Sequence, residues 1–491
     1  MTRTRAAREQ TEGGVRAKVK GRAPQPGWAG ERFGAWLARP LASFHLIVTI
    51  ATLLTVLGLV MVLSASSVEA YAGGGSAYSL FIQQAMFAAL GAVAFYIALR
   101  LPLRLLRRWS FPVFSLSVLA LVLVLIPGIG AVHGGARRWF DLGPVSIQPS
   151  EVVKVTLVVW GAHLLASRRG GQLKELLVPL VPAGLLVCLL VVLEPNLSTT
   201  IALGIVLMAL LWFGGLPVRL FVAILVSGLV AASVLALSAG YRSDRVRAFF
   251  NPGDDPQGVN YQARQAKYSL ADGGILGRGL GQSRAKWSYL PNSHNDFIFA
   301  IIGEELGFLG CMVVLALFAL FVYTGIRIAL RSVDPFLRLL TATATAWITT
   351  QALINIGYVV GLLPVTGLQL PLVSAGGSSL AITLFMFGII ASAARHEPEA
   401  VSALQAGQDG RVSRLLRLPI PEVYTPARAD ASRRATPKAK AERPRPAARR
   451  DGPAPRRRRT PPSRGTGSLR STRAWEPTYP MPHAKERGRS T

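Results

Sequence analysis

Apolar runs close to the length of a bilayer crossing alternate along this chain with short polar breaks. A helix rises about 1.5 Å per residue, so about 20 mostly apolar residues cross a hydrocarbon core roughly 30 Å thick. Runs of this kind lie at His45–Ser64, Leu80–Leu99, Phe111–Ile126, Val152–Ala166 and Leu176–Leu193. They continue at Thr199–Phe213, Val218–Ala239, Phe297–Tyr323, Leu339–Leu362 and Leu372–Ala393. The pattern predicts an all-α polytopic membrane protein of about ten transmembrane helices, the fourth of them short. A basic N-terminal tail covers residues 1–43, the membrane domain 44–395, and a disordered tail rich in Pro and Arg 396–491.

The breaks between runs give the orientation. Arg100, Arg104, Arg107 and Arg108 follow the second run, and Arg168, Arg169 and Lys174 the fourth. Arg219 follows the sixth, and Arg327, Arg331 and Arg338 surround the link after the eighth. The alternate short breaks, Ser66–Ser79, Glu194–Ser198 and Leu363–Pro371, contain neither Lys nor Arg. Short cytoplasmic loops carry the excess of Lys and Arg, so both termini are expected in the cytoplasm. Two longer segments, Pro127–Ser150 and Tyr241–Asn295, then form large loops on the outer face, and Asp296 emerges there.

Composition narrows the class further. Of 491 residues 51% are hydrophobic and 16% charged, yet the formal net charge is +29. These values disagree for a soluble globular chain and agree for a membrane domain with basic tails. Arg395–Thr491 carries 23 Lys/Arg against nine Asp/Glu, and Met1–Leu41 nine against three. Charge flanking apolar spans is explained by orientation and by anionic lipid, so no nucleic-acid partner is expected. Cys188 and Cys311 both sit in apolar runs, so no disulfide framework or Cys-based zinc site follows from them, and the six histidines form no HxxxH or HExxH spacing. A long basic, Gly/Pro-containing stretch precedes the first apolar run, so no cleavable signal peptide is expected and the first span should remain in the membrane.

Four stretches carry candidate chemistry. In "GARRWFDLGPVSIQPSEVVKV" (Gly135–Val155), Pro149 suits a helix entry and Glu151 its first turn. Glu151 and Lys154 are three apart and share a face; ionisable residues inside a span normally face a cavity. "GGILGRGLGQS" (Gly273–Ser283) lacks the Lys-Ser/Thr of a nucleotide loop and reads as a close-packed surface loop. "SHNDFIFAIIGEELG" places Asp296 at a helix mouth and Glu304 and Glu305 deeper. Glu304 falls about 12 Å along the axis from Asp296, too far for one acid–base pair, so the two glutamates read as supports. "LLPVTGLQLPLVSAGGSS" (Leu362–Ser379) reads as irregular backbone, tolerated at membrane depth only where it lines a cavity or is buried in protein.

In order and spacing, "GARRWF", "QPSE", "EPNLSTT", "GRGLGQSRAKWSYLPNSHNDFIFAIIGEELG" and "GLQLPLVSAGGSS" resemble the SEDS family of cell-wall polymerases, and its division-specific branch in particular. The likeness runs from about Phe44 to Arg395. It departs from the family pattern at Asn196, Ser198, Asn295 and Ala375, and keeps Asp296, Glu151 and Lys154. The resemblance implies a peptidoglycan glycosyltransferase that joins lipid II, an undecaprenyl-pyrophosphate-linked disaccharide-peptide, into glycan strands on the outer membrane face at the division septum. It implies Asp296 as the catalytic residue and Glu151, Lys154, Trp139 and Gln148 as cavity residues. It also implies a class B penicillin-binding protein transpeptidase as partner, with other division proteins reached through the tail.

A sugar hydroxyl is a poor nucleophile at neutral pH, so a positioned carboxylate such as Asp296 is expected to take its proton. Charge developing on the pyrophosphate needs cations: Lys154, Arg137, Arg138, Arg284, Lys286, or a divalent Mg or Mn ion. His294 is expected to shape the turn and touch substrate. A lipid II flippase, a non-catalytic division scaffold and an elongation-type polymerase are the alternatives.

Overall fold

The computed structural model describes residues 34, 37–72, 76, 78–133, 135–143, 145–167, 173–238, 249–250, 261–284, 294–407 and 414–424. Each apolar run becomes a helix. In chain order these are α1 (Ala42–Ala72), α2 (Ser79–Arg100), the short α3 (Leu103–Arg108) and α4 (Ser110–Leu125). Then come α5 (Pro149–Ala166), α6 (Leu173–Leu193), α7 (Leu197–Phe213), α8 (Val218–Ser238) and α9 (Tyr261–Gly273). The last are α10 (Ile298–Arg331), α11 (Pro335–Val359), α12 (Ser378–Arg395) and α13 (Pro398–Gln405). Among the described residues five helices (α1, α2, α8, α10 and α12) are long and apolar enough to cross a membrane, and α4, α6 and α7 are shorter apolar helices. The protein is an integral membrane protein of mainly helical build.

Packing is arranged around α10, α11 and α12. α12 lies along α2, α10 contacts α11, α1 and α9, and α11 contacts α7 and α5. By contrast, no residue of the Val218–Leu235 stretch of α8 is buried, so that helix stands at the rim. Between α4 and α5 the chain adds a small sheet to the helical frame: β1 (Ala131–His133), β2 (Ala136–Leu142) and β3 (Val145–Ile147), antiparallel in the order β1-β2-β3. Its residues had been expected only as a loop. The alternation of Arg137, Trp139 and Asp141 with Arg138, Phe140 and Leu142 is too short to have declared a strand alone.

Two helix boundaries differ from the sequence reading. The last run was expected to start at Leu372, but α12 begins at Ser378. Leu372 has φ 65° and Gly377 φ 50°, and Pro371 precedes them, so 363–377 stays irregular. This segment is nevertheless largely buried at Leu368, Leu370, Leu372, Val373 and Ser374. The other difference lies after 395. α13 follows at once, and 414–424 folds back onto the basic end of the bundle. Tyr96 Oη and an Arg100 Nη donate to the carbonyls of Leu416 (3.3 Å) and Arg417 (3.1 Å). Arg395 reaches Pro419 O at 2.9 Å and Arg104 pairs with Glu422 at 2.8 Å. Of the disordered tail expected from 396, residues 396–407 and 414–424 thus take these positions, and its other residues lie outside the described ones.

The decisive local feature is a break inside α10. Gly307 has φ 70° and ψ −167°, which no helix contains, so the carbonyls before it lose their helical partners. The glycine-rich segment after α9 replaces those partners. Arg278 N donates to Glu304 O (2.9 Å) and Gly279 N to Glu305 O (3.0 Å), while Phe308 N and Leu309 N donate to Gly274 O and Ile275 O. Backbone approaches this close require absent side chains. A Cβ on Gly277 would lie 2.2 Å from Glu305 O, and Gly277 also has φ +78°. We expect Gly277→Ala to destabilise the detergent-solubilised protein by about 1–3 kcal/mol, the range for overpacking. Gly128→Ala, also at positive φ but with open space around it, should cost less in the same thermal unfolding measurement.

Candidate functional site

Asp296 sits in the turn before α10. It does not cap that helix: the N-cap position is Phe297, with no side-chain cap. What holds Asp296 is α11. Asn355 Nδ2 donates to its backbone carbonyl at 3.0 Å and to Leu368 O at 2.7 Å, and Tyr358 Oη lies 2.8 Å from each of the same two carbonyls, which share its one proton. Two buried polar groups thus tie the Asp296 turn to the irregular segment. Its carboxylate faces that segment too: a Cβ on Gly367 would lie 3.6 Å from Asp296 Oδ2 and 3.5 Å from Ser198 Oγ. Ser198, at the start of α7, donates in turn to Thr366 O.

Glu151 and Lys154 form a buried pair at 2.8 Å, with the Lys154 ammonium 5.1 Å from the centre of the Trp347 ring. Burial of both partners rules out snorkelling to an interface. From Trp347 a polar path runs toward Asp296: Trp347 Nε1 to Gln351 Oε1 (3.1 Å), Gln351 Nε2 to Gln369 O (3.0 Å), and Gln369 Nε2 to Asn295 Oδ1 (2.7 Å). The ion pair of α5 and the Asp296 turn are therefore parts of one network. Sequence reading had missed Trp347, Gln351, Asn355 and Tyr358. Their signal was the spacing of Trp347, Gln351, Asn355 and Tyr358 along one face of α11, at three and four residues.

Other expected residues take structural positions. Gln148 Nε2 donates to Ser150 Oγ at 2.9 Å, and its backbone N lies 3.4 Å from Ser378 Oγ, joining the starts of α5 and α12. Trp139 is half-buried in β2, where it pairs with Ala131. Arg137 reaches back to Leu125 O at 3.4 Å, and Arg138 clasps the Glu194 and Pro195 carbonyls at 2.9 and 2.8 Å. His294 accepts at its carbonyl from Ala375 N (3.0 Å). Glu304 receives Ser283 Oγ and Arg284 N, both at 2.6 Å, and Glu305 takes Ser64 Oγ at 2.6 and 2.7 Å on its two oxygens. Both glutamates therefore hold the glycine-rich loop, and Arg284 projects exposed from it. Lys286 lies outside the described residues. Among the described residues no three His, Cys, Asp or Glu side chains converge.

The family model described as cell cycle protein, FtsW/RodA/SpoVE, matches residues 44–399. This chain belongs to that family. A probable peptidoglycan glycosyltransferase FtsW of Mycobacterium tuberculosis is 57% identical over 418 residues, covering 84% of this chain and 80% of the relative. Stage V sporulation protein E of Bacillus subtilis is 37% identical over 353 residues, 72% of this chain and 96% of that one. Among solved structures, RodA of Thermus thermophilus matches with TM-score 0.55 and 27% identity over 74% of this chain and 99% of its own. A chain from a peptidoglycan synthase complex described as coordinating polymerization and crosslinking matches with TM-score 0.58 and 28% identity, again over 74% and 99%.

One family segment holds an unusual carboxyl. Glu194, in the turn between α6 and α7, is fully buried, and burial pushes it up from 4.5 to about 8 although Arg138 and Ser150 pull the other way. The folded state therefore keeps a proton that the unfolded chain loses. Its contribution to stability is complete below about 4.5 and lost as pH rises through about 8. The thermal midpoint should fall across that window, and Glu194→Gln should flatten the fall. Separately, Tyr358→Phe removes one donor from Asp296 O while leaving the ring. We expect about a tenfold fall in turnover in the polymerisation assay, from a displaced Asp296, with substrate affinity little changed.

Proposed function

We propose that the chain polymerises lipid II on the outer face of the cytoplasmic membrane, with both termini in the cytoplasm and Asp296 as the general base. The protein is a peptidoglycan glycosyltransferase of the FtsW/RodA/SpoVE family. Septal cell-wall synthesis in division follows from its likeness to the FtsW relatives, and a transpeptidase of the penicillin-binding class is the partner suggested by the synthase complex.

The observation that carries the site assignment is the fixing of Asp296 by its backbone. Asn355 and Tyr358 hold the carbonyl, so the carboxylate is oriented without being used as a cap. A base held in this way can accept the proton of an attacking sugar hydroxyl while the new glycosidic bond forms at the anomeric carbon. The pyrophosphate leaves with the bonding electrons, which supplies the driving force and removes any need for a nucleotide. Among the described residues Arg284 is a cation available to meet that charge, because it is exposed on a loop pinned by Glu304. Lys154 is paired with Glu151 and Arg138 with backbone carbonyls, so their role is to hold the cavity walls.

Purified protein in lipid vesicles, supplied with lipid II, tests this reading. Asp296→Asn should lower strand synthesis by about 10²–10⁴-fold, the usual contribution of general base catalysis, with expression and thermal midpoint retained. Near-normal synthesis by that variant would remove Asp296 from the chemistry.

A further inference from the structure

At the basic end of the bundle, far along the chain from the Asp296 turn, α3 lies against a cavity of about 380 Å³. That volume falls in the range of small-molecule sites, about 300–1,000 Å³. Leu105 and Trp109 line it from α3 and its end, Val113 from α4, Val159 from α5 and Phe385 from α12. Its lining is almost wholly apolar. The two hydroxyls it includes are already engaged within the protein: Ser110 Oγ donates to Arg107 O at 2.8 Å, and Thr156 Oγ1 contacts Val153 O and Ser117 Oγ at 3.2 and 2.8 Å. The cavity therefore suits a hydrocarbon chain and offers nothing to a polar ligand.

The rim is different. α3 reads Leu-Arg-Leu-Leu-Arg-Arg, and helical spacing sets Leu105 and Trp109 on one face with Arg104 and Arg108 flanking it. Arg107 is only partly exposed and already engaged, paired with Asp334 and stacked 4.9 Å from the Phe336 ring centre. Arg104 and Arg108 remain at the surface. Arg104 keeps 85% of its side chain exposed even in its pair with Glu422, and Arg108 makes no ion pair among the described residues. Trp109 is 52% exposed at the lip, where an aromatic ring sits between hydrocarbon and headgroup.

From this juxtaposition we infer that the α3 cavity is a binding site for an anionic phospholipid of the leaflet on the basic side, one acyl chain lying against Leu105, Val159 and Phe385 and the phosphate meeting Arg104 and Arg108. The site is separate from the polar network around Asp296, and it joins α3, α4, α5 and α12 through one ligand. Occupancy would brace the start of α4 against α5, the helix that carries the Glu151–Lys154 pair.

The test uses the full chain in phosphatidylcholine vesicles containing a minor share of dibrominated phosphatidylglycerol, or the same share of dibrominated phosphatidylcholine. Bromine quenches nearby tryptophan, and the Trp109 signal is the difference between the wild type and Trp109→Phe. Trp109 should be quenched preferentially by the anionic lipid. In an Arg104→Gln, Arg108→Gln double variant, which leaves both basic tails intact, that preference should fall by about fivefold per arginine removed. Equal quenching by the two lipids in the wild type would mean ordinary surrounding lipid and overturn the site. So would a preference unchanged in the double variant, or displacement of the brominated lipid by unlabelled polyisoprenyl phosphate but not by unlabelled phosphatidylglycerol.

Discussion

Backbone that leaves a helix at membrane depth must find every hydrogen bond inside the protein, because hydrocarbon supplies none. Among the described residues the break at Gly307 and the 363–377 segment leave the helix in this way, and the rest of the candidate site is organised around satisfying them. At Gly307 the carbonyls released by the break are met by N–H groups of the 273–284 loop, and the carboxylates of Glu304 and Glu305 add Ser283, Arg284 and Ser64. At 363–377 the irregular chain is met by side chains from α11, through Gln351, Asn355 and Tyr358. The turn that carries Asp296 is fixed by the second of these repairs, through Asn355, Tyr358, Gln369 and Ala375. Its placement is a by-product of backbone accounting that the membrane makes compulsory.

The same logic separates the charged groups by task. Glu151 and Lys154 neutralise one another at 2.8 Å, so their burial is affordable only as a pair, and removing one partner would strand the other. Glu194 has no ion-pair partner among the described residues, and burial keeps it protonated near neutrality against the pull of Arg138 and Ser150. Asp296 is neither deeply buried nor used as a cap, and it stands at the end of a polar path that begins at Lys154. That intermediate exposure suits the base role proposed for it.

Much of the frame was legible in the sequence because hydrophobic run length is a direct consequence of bilayer thickness. Each of the ten apolar runs became a helix, and the motif order identified the family. The pairing of Glu151 with Lys154 followed from a spacing of three. The glycine-rich loop was read as close-packed, yet its partner could not be read, since Gly277 meets Glu305 only through tertiary contact. The start of α12 was misplaced because Leu372 and Val373 are apolar, and apolarity alone does not distinguish a helix from buried irregular chain. The roles of Asn355 and Tyr358 were hidden for a related reason. Polar residues in an apolar helix signal a function, but the sequence does not say which backbone they serve.

The fold-back of 414–424 has a mechanical consequence. Leu416, Arg417, Pro419 and Glu422 are fastened to Tyr96, Arg100, Arg395 and Arg104. A force or a substitution in this short segment is therefore felt at once at the basic ends of α2, α3 and α12, the last of which lies hundreds of residues along the chain from the other two.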